Sequence, residues 1–69
     1  MKFCIIHDYG TNSFLKEEFY KEKEAESVLE KWKKDIYAEY GEETDNNYVW
    51  VKAYDLSDPD DREEYENLK

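Results

Sequence analysis

Eleven carboxylates lie between residues 39 and 66, and only Lys52 and Arg62 oppose them. They are Glu39, Glu42, Glu43, Asp45, Asp55, Asp58, Asp60, Asp61, Glu63, Glu64 and Glu66. Acids and bases balance in the rest of the chain, so this stretch accounts for the whole formal net charge of −9. A field of one sign attracts a basic partner and repels nucleic acid and anionic membranes. The first candidate chemistry is therefore charge-driven binding of a basic protein.

Clustered acidic side chains could instead bind a metal ion. A calcium loop of the EF-hand type needs Asp-x-Asx-x-Asx-Gly and a glutamate at its twelfth position. The segment 55–61, DLSDPDD, has neither that spacing nor the glycine. Weak surface binding of calcium stays open as an alternative, and no cofactor is expected because the chain has no glycine-rich phosphate loop.

Cys4 and His7 are the pair that could act as a nucleophile and its base. On a β-strand, a separation of three residues directs two side chains to opposite faces. We therefore predict Cys4 to be a core residue and His7 to lie at an edge or on an exposed face. Two carboxylates can also serve acid–base chemistry, but nothing in the sequence places a pair inside a pocket. We do not expect an enzyme.

The length of 69 residues predicts one small domain spanning the chain. A domain of this size buries only about 60% of the surface that its unfolded chain exposes. Charge is high, but twelve aromatic residues favour a folded chain over a disordered one. The single cysteine excludes an internal disulfide and fits a reducing compartment. With neither a membrane-spanning run nor a signal peptide in view, we expect a cytoplasmic protein.

The hydrophobic pattern predicts an α+β domain with the order β-β-α-β-α. Strands are predicted over residues 2–8, 13–20 and 48–55, and helices over residues 21–40 and 59–67. The adjacent Glu17 and Glu18 break the alternation of the second strand and require a solvated face or a bulge. Asp58 suits the N-cap of the second helix, with Pro59 at its first position. The long helix has one apolar face, formed by Ala25, Val28, Leu29, Trp32 and Ile36.

These elements fit a three-stranded antiparallel sheet with the long helix on one face. Alternation along the strands predicts that Cys4 and Ile6 join Val49, Val51 and Ala53 beneath that helix. The opposite face would then present an aromatic and aliphatic set, Phe3, Ile5, Tyr48, Trp50 and Tyr54. Either the C-terminal segment covers this face, or the face binds a partner or forms a homodimer. Single-stranded nucleic acid is not the expected ligand, because only Lys52 would supply positive charge.

In size and composition, the whole chain resembles the phage-encoded acidic DNA mimics. That group includes inhibitors of CRISPR effectors, of restriction enzymes, of uracil-DNA glycosylase and of the histone-like nucleoid protein HU. The segment 19–25, FYKEKEA, also looks like that of small phage β-β-α-β proteins. The resemblance implies an inhibitor that covers the DNA-binding surface of a host or defence protein, with HU as the first candidate and a CRISPR effector as the second. The alternative is an interaction module that binds through the aromatic face, with acids that only solubilise it.

Overall fold

A computed structural model describes residues 1–68, in which a three-stranded antiparallel sheet carries one helix on each face. The strands are β1 (Lys2–Asp8), β2 (Ser13–Phe19) and β3 (Tyr48–Tyr54), and the helices are α1 (Glu22–Tyr40) and α2 (Pro59–Glu66). The predicted α+β class and element order are confirmed. The strands are arranged β2-β1-β3, so β1 is central and both other strands are edges.

The β1–β2 hairpin contains the irregularity that its sequence predicts. Ile5 pairs with Glu17 but Ile6 pairs with Leu15, so Lys16 is an extra residue in β2. A bulge of this kind shifts the register by one residue and reverses the faces beyond it. It places the apolar Leu15, rather than Lys16, beside Ile6 in the core.

Two small cores lie on the two faces of the sheet. Beneath α1, Ile5, Val49 and Ile36 are buried, with partly buried side chains packed around them: Phe19, Val28, Leu29, Trp32, Tyr37 and Val51. Beneath α2, Cys4, Ile6 and Tyr54 are buried, and their partly buried neighbours are Leu15, Trp50, Leu56, Tyr65 and Leu68. Each fully buried large apolar side chain contributes about 1.5–3 kcal/mol. Neither helix could therefore be lost without exposing one of these cores.

The predicted assignment of β1 side chains to the two faces is wrong. Residues paired directly across an antiparallel sheet share a face. Ile5 pairs with Val51 and lies beneath α1, whereas Cys4 and Ile6 lie on the face that α2 covers. The physical reason is that β1 is central and buried on both faces, so its apolar run over residues 3–6 contains no alternation to indicate a face.

The start of α2 follows the sequence prediction. The Asp58 side chain accepts a hydrogen bond of 2.9 Å from the backbone N–H of Asp60, and Pro59 occupies the first helical position. Such an N-cap contributes about 1 kcal/mol. Within residues 1–68, no helix is both long and apolar enough to cross a membrane.

Gly10 is one of two glycines with positive φ, and it is the one whose added Cβ would meet a neighbouring side chain. Its φ is +93°, and a Cβ added there would also contact the side-chain amide oxygen of Asn46. We expect Gly10→Ala to lower the free energy of unfolding by about 1–3 kcal/mol, mainly through backbone strain, because Asn46 is exposed and can move. Urea denaturation measures this change.

Gly41→Ala is the matched control for this prediction. Gly41 has a φ of +101°, and a Cβ added there would meet no heavy atom of the described chain within 4 Å. Because both glycines have positive φ, both substitutions should destabilise the protein, and Gly10→Ala alone adds a contact with Asn46. If Gly10→Ala left the free energy of unfolding unchanged, the backbone of this turn would not require glycine.

Candidate partner-binding surface

The eleven predicted carboxylates fall into two groups. The loop group lies at the end of α1 and in the loop after it, and comprises Glu39, Glu42, Glu43 and Asp45. The α2 group begins beyond β3 and comprises Asp55, Asp58, Asp60, Asp61, Glu63, Glu64 and Glu66. β3 connects the loop group to the α2 group along the chain, and α1 and α2 lie on opposite faces of the sheet. The predicted carboxylates therefore come from two parts of the fold, the loop after α1 and the helix α2.

Acids at the start of α2 hold its own backbone. Asp61 Oδ2 accepts a 3.0 Å hydrogen bond from the backbone N–H of Asp55, in addition to the Asp58 cap. The Asp55 carboxylate accepts bonds from the Ser57 hydroxyl at 2.6 Å and the Ser57 backbone N–H at 3.0 Å. These bonds, the hydroxyl first, lower the pKa of Asp55. This part of the α2 group is thus fixed in place before any partner arrives.

Glu64 is tied to the sheet. Its Oε1 accepts a hydrogen bond from Lys52 Nζ at 2.5 Å and one from the Tyr54 hydroxyl at 3.2 Å. The bond from Lys52 is the main reason that the pKa of Glu64 is lowered. Burial, and then the Glu64 charge, raise the pKa of Tyr54. The side chains of Lys52 and Glu64 are 30% and 53% exposed, so the ion pair between them contributes only about 0–1 kcal/mol to stability.

The outward surface of α2 keeps free negative charge. Glu66 pairs with Arg62 at 3.0 Å, one turn apart and in solvent. Asp60 and Glu63 are exposed, and neither carboxylate has an ion-pair or hydrogen-bond partner among residues 1–68. These two side chains are therefore available to a basic partner at no structural cost.

α2 is fixed across the sheet by a second polar contact. The Tyr65 hydroxyl donates a 2.6 Å hydrogen bond to Glu18 Oε2, and Lys2 Nζ lies 2.9 Å from Glu18 Oε1. The bonds from Tyr65 and then Lys2 lower the pKa of Glu18, and the same contact with Glu18 raises the pKa of Tyr65. The Glu18 carboxylate on β2 thus holds the helix that carries most of the acidic residues.

The loop group is held by a buried side chain that the sequence pattern did not indicate. Asn47 Nδ2 donates to the backbone oxygens of Gly41 at 2.9 Å and Glu42 at 3.2 Å. Asn47 Oδ1 therefore faces His7, whose Nε2 lies 2.7 Å away and donates to it. Asn47 is 9% exposed and His7 is fully buried. The Asn47 amide consequently ties the loop that carries Glu42, Glu43 and Asp45 to the buried His7 on β1.

The predicted place of His7 at an edge or on an exposed face is wrong. Its ring lies beneath Tyr9, with ring centroids 4.1 Å apart, and beside Tyr40 at 5.3 Å. Its Nδ1 is buried and has no partner in the part of the chain that the structure describes. No local signal could have indicated this, because Asn47 lies 40 positions later. Cys4 faces α2 and His7 faces α1, as their spacing predicts.

The predicted aromatic face is not one surface. Ile5 is buried beneath α1, and the half-buried Phe3 pairs with Ala53 on that same side of the sheet. Tyr54 is fully buried because α2 covers it, so the predicted alternative in which the C-terminal segment covers this face is the one observed. Tyr48, with 41% exposure, and the partly exposed Trp50 are the two that a partner could reach.

A cleft of about 420 Å³ opens between the β1–β2 turn and the end of α2. Its floor and walls include Ile6, Phe14, Trp50 and Leu68. Its polar lining comes from Thr11, Asn12, Ser13, Glu64 and Asn67. The volume lies within the range of about 300–1,000 Å³ that is usual for ligand sites.

Within residues 1–68, no three His, Cys, Asp or Glu side chains converge in a way that could hold a metal ion. Burial raises the pKa of the Cys4 thiol to about 11, which opposes formation of a thiolate nucleophile.

Comparison of the chain with protein-family models, with curated proteins and with solved structures finds no match. Its function is therefore inferred from the residues and contacts described above.

Proposed function

We propose that this protein is an inhibitory binding protein whose carboxylates replace DNA phosphates on the surface of a basic DNA-binding protein. The observation that carries the proposal is the charge of residues 55–66, where seven carboxylates surround a single basic residue, Arg62. The local hydrogen bonds of Asp55, Asp58 and Asp61 hold that charge in a fixed arrangement. A fixed arrangement loses little conformational entropy when it binds.

The α2 group is the better candidate for the mimicking surface. Neighbouring charges on one helix face lie about 5–6 Å apart, and phosphates along one DNA strand are spaced by about 3.4 Å of helix axis. A protein that binds phosphates with Lys and Arg would find acceptors of the same sign in a similarly dense row. The loop group, beneath which Asn47 and His7 are buried, would make a separate second contact.

The target we favour is HU, which binds duplex DNA by charge and shape; a CRISPR effector is the second choice. Either encounter would take place in the cytoplasm of the host cell. The alternative function, an interaction module that binds through aromatic side chains, has less surface to use, since Tyr54 and Ile5 are buried. The exposed Tyr48 is the residue that favours it.

Charge reversal on α2 tests this proposal. We expect Asp60→Lys combined with Glu63→Lys to weaken binding to purified HU by roughly 100-fold or more, because like charges brought together cost several kcal/mol. Isothermal titration at low and moderate salt measures the affinity. Binding by the unaltered protein should weaken steeply as salt is raised.

Glu26→Lys combined with Glu30→Lys is the matched control. Both residues are exposed on α1, on the opposite face of the sheet, and their replacement changes the net charge equally. This control should retain most of the affinity. Equal losses of HU affinity in the two double variants, or binding that is insensitive to salt, would refute mimicry by α2. Circular dichroism checks that both variants are folded.

A further inference from the structure

The cleft beside α2 has an unusual combination of walls and charge. Trp50 supplies aromatic surface, and Glu64 supplies a carboxylate at the wall formed by α2. Glu64 is the one charged residue of the lining: its Oε1 is paired with Lys52, and its Oε2 has no hydrogen-bond partner within residues 1–68. Charge complementarity therefore favours a cation with an apolar or flat body over an anion or a neutral hydrocarbon.

The polar lining contains one group that only accepts hydrogen bonds, the carboxylate of Glu64. The side chains of Asn12, Asn67, Thr11 and Ser13 can each accept or donate, so all of them can accept from a ligand that carries N–H groups. A ligand with several N–H donors in one plane would satisfy more of these groups than a ligand with a single donor.

We propose that this cleft receives an arginine side chain of the basic partner. The guanidinium group is planar, stacks on aromatic rings and carries five N–H donors that match a carboxylate. Lysine offers a compact charge that cannot stack in this way. The inference rests on the proposed function, and it names the side chain by which the partner anchors beside α2. Buried aromatic and arginine contacts are also the ones that dominate binding energy at interfaces.

Lys52 already occupies part of this arrangement. Its Nζ lies 2.5 Å from Glu64 Oε1, 5.1 Å from the centroid of the Tyr54 ring and 5.9 Å from that of the Trp50 ring. Lys52 is thus an internal cation on the carboxylate that the arginine would use. The partner can displace it readily, because an ion pair this exposed contributes little.

A fluorescence titration tests the cleft directly. The probe is the blocked tripeptide Gly-Arg-Gly, and Gly-Lys-Gly and Gly-Ala-Gly serve as comparisons. Trp32→Phe in every protein removes the second tryptophan, so that emission reports Trp50. We expect the arginine peptide to change the emission at lower concentration than the lysine peptide, and the alanine peptide to have no effect.

Three variants separate the cleft from general electrostatic attraction. Glu64→Gln should weaken binding of the arginine peptide at least tenfold. Lys52→Gln should strengthen it about two- to fivefold by freeing Glu64. Lys34→Gln, which removes an exposed lysine on α1, makes the same change in net charge and should leave binding unaltered.

Ser13→Tyr tests the cleft by its shape, independently of the charge variants. It fills the cleft without changing any charge and should abolish the response to the arginine peptide. If the arginine and lysine peptides bind equally, or Ser13→Tyr retains the response, the cleft inference is wrong. The proposed function would still stand in that case, provided that charge reversal at Asp60 and Glu63 abolishes binding to HU. If the unaltered protein does not bind HU, the proposed function fails. The peptide titration still shows whether the cleft binds an arginine side chain.

Discussion

Replacement of Asn47 by alanine should lower the free energy of unfolding by roughly 2–4 kcal/mol. The change removes the donor to the backbone oxygens of Gly41 and Glu42 and the acceptor for His7 Nε2. A buried polar group left without a partner costs about 1–3 kcal/mol, and the His7 ring cannot reach water because it is fully buried. Small domains have about 5 kcal/mol of stability or little more, so much of it would be lost. Urea denaturation at neutral pH measures the change.

The neighbouring Asn46 supplies the control for this substitution. Asn46 is exposed, and its backbone N–H, which alanine retains, donates to the Thr44 hydroxyl. Asn46→Ala should therefore alter stability by no more than about 0.5 kcal/mol. If the two alanine variants were equally stable, the amide of Asn47 would not be what holds the acidic loop.

Periodicity predicted the elements of this fold because each one is amphipathic or has a distinct end. The apolar residues of α1 recur at helical spacing, and Asp58 and Pro59 mark the start of α2. The faces of β1 could not be predicted in the same way. A central strand covered by a helix on each side is apolar throughout, so only its pairing with Val51 and Trp50 shows which side chain points where.

The candidate site was predictable in composition but not in arrangement. Charge counting found every carboxylate, but it could not show that β3 divides them between the loop after α1 and the helix α2. Hydrogen bonds across 40 or more positions, as from His7 to Asn47 and from Tyr65 to Glu18, leave no mark in local sequence. The long-range contacts that fix the acidic groups were therefore missed, whereas the local Asp58 cap was predicted.

The same contacts connect stability with the proposed binding. An acidic surface repels itself, and a domain of this size has little stability with which to offset that repulsion. Specific polar contacts, those of the buried Asn47 for the loop group and of the half-buried Glu18 for the α2 group, keep the charges in place. Weakening either contact should therefore reduce binding through loss of order, even though neither residue needs to touch the partner.

The contact between Glu18 and Tyr65 should contribute its full stabilisation between about pH 5 and pH 9 and progressively less outside that range. The folded pKa of Glu18 is lowered from 4.5, so its contribution is present above that value and is lost as pH falls through the folded pKa. The folded pKa of Tyr65 is raised from 10.0, so its contribution is present below that value and is lost as pH rises through the folded pKa. Within this window, a hydrogen bond to a charged group contributes roughly 1.5–3 kcal/mol.

A double-mutant cycle isolates this contact from the many other carboxylates. Glu18→Gln and Tyr65→Phe, singly and together, give a coupling energy from urea denaturation at each pH. The cycle cancels the background titration, which alters all four proteins alike, so a separate variant elsewhere is not required. We expect a coupling energy that is constant from pH 5 to pH 9 and that falls as the solution is made more acidic. A coupling energy that is near zero at pH 7, or that persists unchanged at pH 2, would show that the carboxylate of Glu18 does not hold α2 against the sheet.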